Sequence, residues 1–182
     1  MTPNTPTEEN SSPSDFRSYS VDQALNIIRS IAEHRWPMTV DEAFSLRDQF
    51  GWTPAPDDGR FFVTPVSNGE EDGTISIDQE NRIYISGIDF NVTSQLPKDA
   101  DPNIQSEMRS VYSRYVEALT MRYGAGEARS SNDVDGVLWY LPSRASVDIG
   151  ITRRSISVAL ESPAITALTE AEEKYFAEGG EF

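Results

Sequence analysis

Residues 133–160, DVDGVLWYLPSRASVDIGITRRSISVAL, hold three apolar runs separated by short polar turns. The stretch 59–88, GRFFVTPVSNGEEDGTISIDQENRIYISGI, has the same rhythm. Within the runs apolar residues recur at every second position: Ile75 and Ile77, Ile83 and Ile85, Val147, Ile149 and Ile151, then Ile156, Val158 and Leu160. Successive side chains of a strand point to opposite faces, so such a run buries one face and wets the other. The connections SNGEEDG and DQEN are turn chemistry, because Gly, Asn and Asp tolerate the dihedrals a reversal needs. Strands are predicted at 60–66, 74–78, 82–88, 137–141, 146–151 and 155–161.

Helical spacing fills the intervals. Ser20 reads as an N-cap for a helix carrying Val21, Leu25, Ile28 and Ala32, which stops before Pro37. Thr39 and Glu42 form a capping-box pattern for a second helix ending at Gly51. Asp101 and Pro102 open the clearest helix, with Ile104, Met108, Val111, Tyr115, Leu119 and Tyr123 three or four residues apart. Ser162-Pro163 opens a last, acidic helix over 163–177. The predicted order is α-α-β-β-β-α-β-β-β-α. Each half is a helix ending in Phe50-Gly51 or Tyr123-Gly124 followed by three strands, with Asp72-Gly73 and Asp135-Gly136 at comparable places, which suggests an internal repeat. The expected fold is α+β: two α-β-β-β halves forming an antiparallel sheet of about six strands, with helices packed on one face.

A length of 182 residues implies one domain. Residues 1–18 are Thr, Pro, Asn, Ser and Glu with almost nothing apolar to offset the entropy of ordering, so they read as a disordered tail, with Phe16 and Tyr19 docking at its end. Residues 19–178 form the domain and 179–182 a flexible C-terminus. No segment has a signal peptide's basic and apolar regions, and apolar runs fall far short of the ~20 residues of a membrane helix. With no cysteine, disulfides and thiolate chemistry are excluded, which suits a cytoplasmic location.

Charge is the outlier. Thirty acids against fifteen bases give −15 at pH 7. Such a surface repels nucleic acid and anionic membranes and attracts a basic protein. The acids are uneven. Residues 57–89 carry Asp57, Asp58, Glu70, Glu71, Asp72, Asp78, Glu80 and Asp89 against Arg60 and Arg82, whereas 129–154 balance four arginines with three aspartates.

No catalytic constellation emerges. His34 is the only histidine, and no G-x-S-x-G elbow accompanies it. NGEEDGTISIDQ, 68–79, superficially resembles a calcium loop, but Gln79 stands where a bidentate carboxylate is required. Gly124-Ala125-Gly126 follows a helix and lacks the third glycine of a dinucleotide fingerprint. No metal or other cofactor is expected.

HRWPMTVDEAFSLRDQFGWTP (34–54), ALTMRYG (118–124) and VLWYLPSRASVDIGITRRSISVALESP (137–163) together resemble a family of small uncharacterised proteins from actinobacteria. Proteins like these look similar to immunity proteins that neutralise polymorphic toxins. The resemblance and the charge lead to one expectation: a non-enzymatic, monomeric or weakly dimeric module that binds a basic protein such as a toxin. Asp57, Asp58, Glu70, Glu71, Asp72, Asp78 and Glu80 are the expected contacts, with Trp52 as an exposed anchor. The alternatives are a small acidic secretion or assembly chaperone and an enzyme with an unrecognised carboxylate site.

Overall fold

Local chemistry starts the first two helices. The computed structural model describes residues 16–181. Ser20 and Thr39 each accept a hydrogen bond from the backbone N–H three residues on, and the side-chain oxygens of Gln23 and Glu42 accept one from the cap's own N–H, so α1 (Val21–Ala32) and α2 (Val40–Gln49) both open with a capping box. Asp101 caps α3 (Pro102–Tyr123), and Ser162 caps α4 (Pro163–Ala177).

The strands are β1 (Thr53–Pro54), β2 (Phe61–Val63), β3 (Gly73–Ile77), β4 (Ile85–Asn91), β5 (Glu127–Ser130), β6 (Asp135–Tyr140), β7 (Ser146–Ile151) and β8 (Ile156–Glu161). They form one antiparallel sheet in the order β1-β2-β3-β4-β8-β7-β6-β5. The expected six strands are therefore eight. Two consecutive meanders meet where β4 pairs with β8. No internal repeat is evident: Asp72-Gly73 leads into the third strand of one meander, while Asp135-Gly136 opens the second strand of the other.

One face of the sheet carries the core. Phe62, Ile75, Ile88, Phe90, Val158, Leu160, Val147, Ile149 and Trp139 are all buried there. Helix α1 packs on α3, and both reach β7. Phe16 packs on this core and Ser18 bridges to Thr93, so the packed region starts a little before residue 19. The rest of the tail expected at 1–18 lies outside the described residues. Helix α4 departs from the expectation of helices on one face. It flanks the opposite, outer face, where Glu170 pairs with Arg144, whose guanidinium stands 5.3 Å from the centre of the outward-pointing Tyr140 ring.

The predicted alternation also slips in one strand. Ile83 is 65% exposed, whereas Ile85, Ile88 and Phe90 are buried. Arg82 and Ile83 belong to the turn before β4, so the strand starts later than the sequence implies, and an irregularity in the β3–β4 pairing at Ser76/Ile77 lets Ile85 and Ile88, three residues apart, share the buried face.

Candidate interaction surface

The outer face of the sheet places acids side by side. In the register of β4, β8 and β7, Asp89 faces Ala159 and Ala159 faces Asp148; in the next row Gly87, Glu161 and Ser146 align. Neighbouring strands lie about 4.8 Å apart, so the backbones at Asp89 and Asp148 stand about 10 Å apart, with the strand of Glu161 between them. Small residues, Ser76, Ser157, Gly136 and Gly150, occupy outward positions around the three acids. Arg129 Nη1 donates to Asp148 Oδ2 at 3.1 Å.

Electrostatics set these acids apart from surface acids in general. Desolvation by the sheet raises the pKa of Asp89, against hydrogen bonds from Thr74. Desolvation also raises Asp148, against the pull of Arg129. For Glu161, desolvation acts first and repulsion from Asp148 adds to it. Asp89 and Glu161 are open to solvent, yet the sheet surface beside each carboxylate withholds enough water to disfavour its charge. These acids thus carry their charge where the sheet solvates it less well than open water does.

Helix α4 turns this face into a trough. A groove of about 690 Å³ runs between Phe61, Thr74, Ser76, Asp78 and Glu80 on the sheet side and Ala164, Ile165 and Leu168 on the helix side. It adjoins a depression of about 110 Å³ over Gly87, Asp89, Ala159 and Glu161, the two sharing Ser76, Ser86 and Ile165.

The contacts expected from sequence do not form one face. Antiparallel connectivity puts Asp57, Asp58, Asp78 and Glu80 in the β1–β2 and β3–β4 loops at one end of the meander, and Glu70, Glu71 and Asp72 in the β2–β3 loop at the other. The five residues of β3 separate the two ends by about 15 Å. Several of these acids already serve the fold. Asp58 chelates Arg60, whose bonds hold its pKa down to about 2. Asp72 accepts from Thr64 N and Oγ1, and burial raises its pKa. Asp78 Oδ1 accepts from the N–H groups of Glu80 and Asn81 and closes the β3–β4 turn. Glu70 and Asp72 line a separate cleft of about 400 Å³ with Asp99 and Arg154. Asp78 and Glu80 are the expected contacts that border the trough.

Trp52 is not an exposed anchor. It is 2% exposed, stacks on Phe62 with ring centres 4.5 Å apart, and donates from Nε1 to Tyr19 Oη at 3.1 Å. His34 is structural in its contacts: Nε2 lies 2.9 Å from Glu42 Oε2 and Nδ1 2.8 Å from Arg35 O, tying α1 to α2. Among the described residues, no group of three or more His, Asp or Glu side chains is arranged to hold a metal ion.

Sequence reasoning did not single out Asp89, Asp148 and Glu161. Their signal was present: each is an acid beside buried apolar residues of a strand, in Ile88-Asp89-Phe90, Val147-Asp148-Ile149 and Leu160-Glu161. What the alternation could not supply was that β4, β8 and β7 are neighbours.

Among the described residues, no helix is long and apolar enough to cross a membrane. Comparison with curated proteins gave no match, and comparison with solved structures gave none either. A family model described as a family of unknown function, DUF6301, matches residues 22–162, and the chain belongs to that family.

Proposed function

We propose that the chain is a non-catalytic binding module whose outer sheet face receives a basic protein. The observation that carries this reading is the placement of Asp89, Asp148 and Glu161 on adjacent strands of the outer face, which the described residues leave accessible beside α4, with raised pKa values and Arg129 bonded to Asp148. Desolvated carboxylates favour a partner that brings Lys or Arg, because an opposite charge stabilises their ionised form and, at Glu161, also offsets the repulsion from Asp148. The net charge of −15 adds long-range attraction for such a partner and repels nucleic acid. An inhibitor of a basic toxin, acting in the cytoplasm in the manner of immunity proteins, fits this chemistry, as does the resemblance to small actinobacterial proteins.

A chaperone reading is favoured by one separate observation, the exposed Leu168 and Tyr175 of α4. A dimer that survives high salt in light scattering would select it. Perturbed carboxylates also suit acid–base catalysis, but these lie on an open face rather than in the enclosed pocket that chemistry prefers.

The test is affinity capture with the wild type and with Asp89→Lys/Glu161→Lys, both checked for native circular dichroism. The wild type is expected to retain a basic protein that the variant loses, with an association rate that falls at least tenfold, on the order expected for steered encounters, as salt rises. A captured partner whose association rate ignores both the charge reversal and salt would overturn the reading.

A further inference from the structure

Helix α4 has an apolar stripe that the rest of the described residues leave exposed. Ala164, Ala167, Leu168, Ala171 and Tyr175 follow helical spacing and are all exposed, while the opposite side of the helix holds the buried Thr166 and the Arg144-paired Glu170. Across the groove stands Phe61, 39% exposed although its neighbour Phe62 is fully buried. Leu168 and Tyr175 are each 54% exposed. A lone exposed apolar residue is ordinary, but facing apolar walls along a groove mark a binding surface.

We propose that this groove docks an amphipathic helix from the partner, with an apolar stripe seated between Phe61 and Leu168 and flanking lysines or arginines directed to Asp78, Glu80 and the adjoining Asp89 and Glu161. The proposal rests on the reading of the outer face as a site for a basic protein and names the segment that enters it. Charge selects the occupant. A second copy of this chain brings another −15 and further glutamates on α4, so self-association is opposed, whereas a basic helix is attracted by both walls. On the helix side the groove is lined by Ala164, Ile165, Ala167 and Leu168, so the N-terminal end of α4 is the wall that meets the docked segment. Helix-in-groove recognition reads anchors at i, i+3, i+4 and i+7, the spacing α4 itself displays.

The probe is a fluorescein-labelled leucine–lysine peptide of about 18 residues, long enough to span α4, with its leucines on one helical face. A control of the same composition scatters the leucines around the helix. In fluorescence anisotropy the amphipathic peptide is expected to bind at least about tenfold tighter than the control. Phe61→Ser/Leu168→Ser, with native circular dichroism, is expected to remove that preference while leaving the salt-dependent binding of both peptides. Asp89→Asn/Glu161→Gln is expected to weaken both peptides together. Equal binding of the two peptides, or a preference that survives the groove variant, overturns the groove proposal while leaving the acidic face standing. Loss of the response to Asp89→Asn/Glu161→Gln overturns the acidic face instead, and absence of binding to the wild type overturns both.

Discussion

Trp52 illustrates how a residue's role depends on what the chain does next. It follows Gly51, whose φ of +72° ends α2 in a conformation suited to glycine, and from sequence that position looks like a surface bend. The Trp52 side chain instead points inward while β1 stays at the surface, and the pairing of Pro54 with Phe62 brings the indole flat against the Phe62 ring. Trp52 also touches Phe50 and Phe90, so it joins the end of α2 to the centre of the sheet. Trp52→Ala should therefore destabilise the protein by about 3–5 kcal/mol, the range for emptying a buried aromatic site. Trp52→Phe should cost less, since the stacking survives and only the hydrogen bond to Tyr19 is lost. Urea unfolding of both variants checks the order; a nearly neutral alanine variant would show that the cluster is not part of the cooperative core. The three outer-face acids make the complementary point. Each was visible as an acid in the outward slot of a strand, but its significance depends on neighbours that are distant in sequence, since Asp89 and Asp148 flank the same Ala159.

At the level of elements, helices were legible because their signals are local. The cap of α3 lies in two adjacent residues: Asp101 Oδ1 accepts from Asn103 N at 2.7 Å, and Pro102 fills the first turn. Asp101→Ala should cost about 1 kcal/mol in thermal or urea unfolding, and Asp101→Asn much less. A loss no larger for alanine than for asparagine would mean that α3 is held by packing alone. Strands were legible where alternation is long and lost where it is short. β1 has two residues and includes a proline, and β5, Glu-Ala-Arg-Ser, is exposed throughout, so neither carries a hydrophobic period. β4 was misplaced because Arg82 and Ile83 are taken up by a turn, and because alternation assumes an unbroken phase, which the irregularity beside Ile77 interrupts by putting Ile85 and Ile88 on the same face. Helix α4 was found from its cap and its acidity, but its position was not. Pairing rules assign helices to the apolar face of a sheet, whereas α4 stands at the polar face with part of its own apolar stripe unused.

For the whole molecule, the same carboxylates govern stability and the proposed binding, in opposite senses. Asp72, Asp89, Asp148 and Glu161 have pKa values raised first of all by desolvation. The folded state therefore holds their protons more tightly than the unfolded state does. Their stabilising contribution is complete below the ordinary carboxylate pKa, near 4, and is lost as pH rises through the folded values. Asp58 works the other way: its lowered pKa stabilises the fold above the ordinary range and that gain disappears as pH falls towards about 2. Falling pH also reduces the self-repulsion of a chain that carries −15. Urea midpoints should thus rise as pH is lowered through the raised folded pKa values of these four acids and fall again between about 4 and about 2, the interval over which the gain from Asp58 is lost. Asp89→Asn/Glu161→Gln should raise the midpoint at neutral pH and flatten the upper limb. Association with a basic partner should weaken over the interval in which stability improves, because protonation removes the charge the partner binds. Parallel pH titrations of unfolding and of partner binding measure both slopes. If the two rise and fall together, the outer-face acids are not the binding charge, since groups that the fold prefers neutral and a partner requires ionised must drive the two in opposite directions.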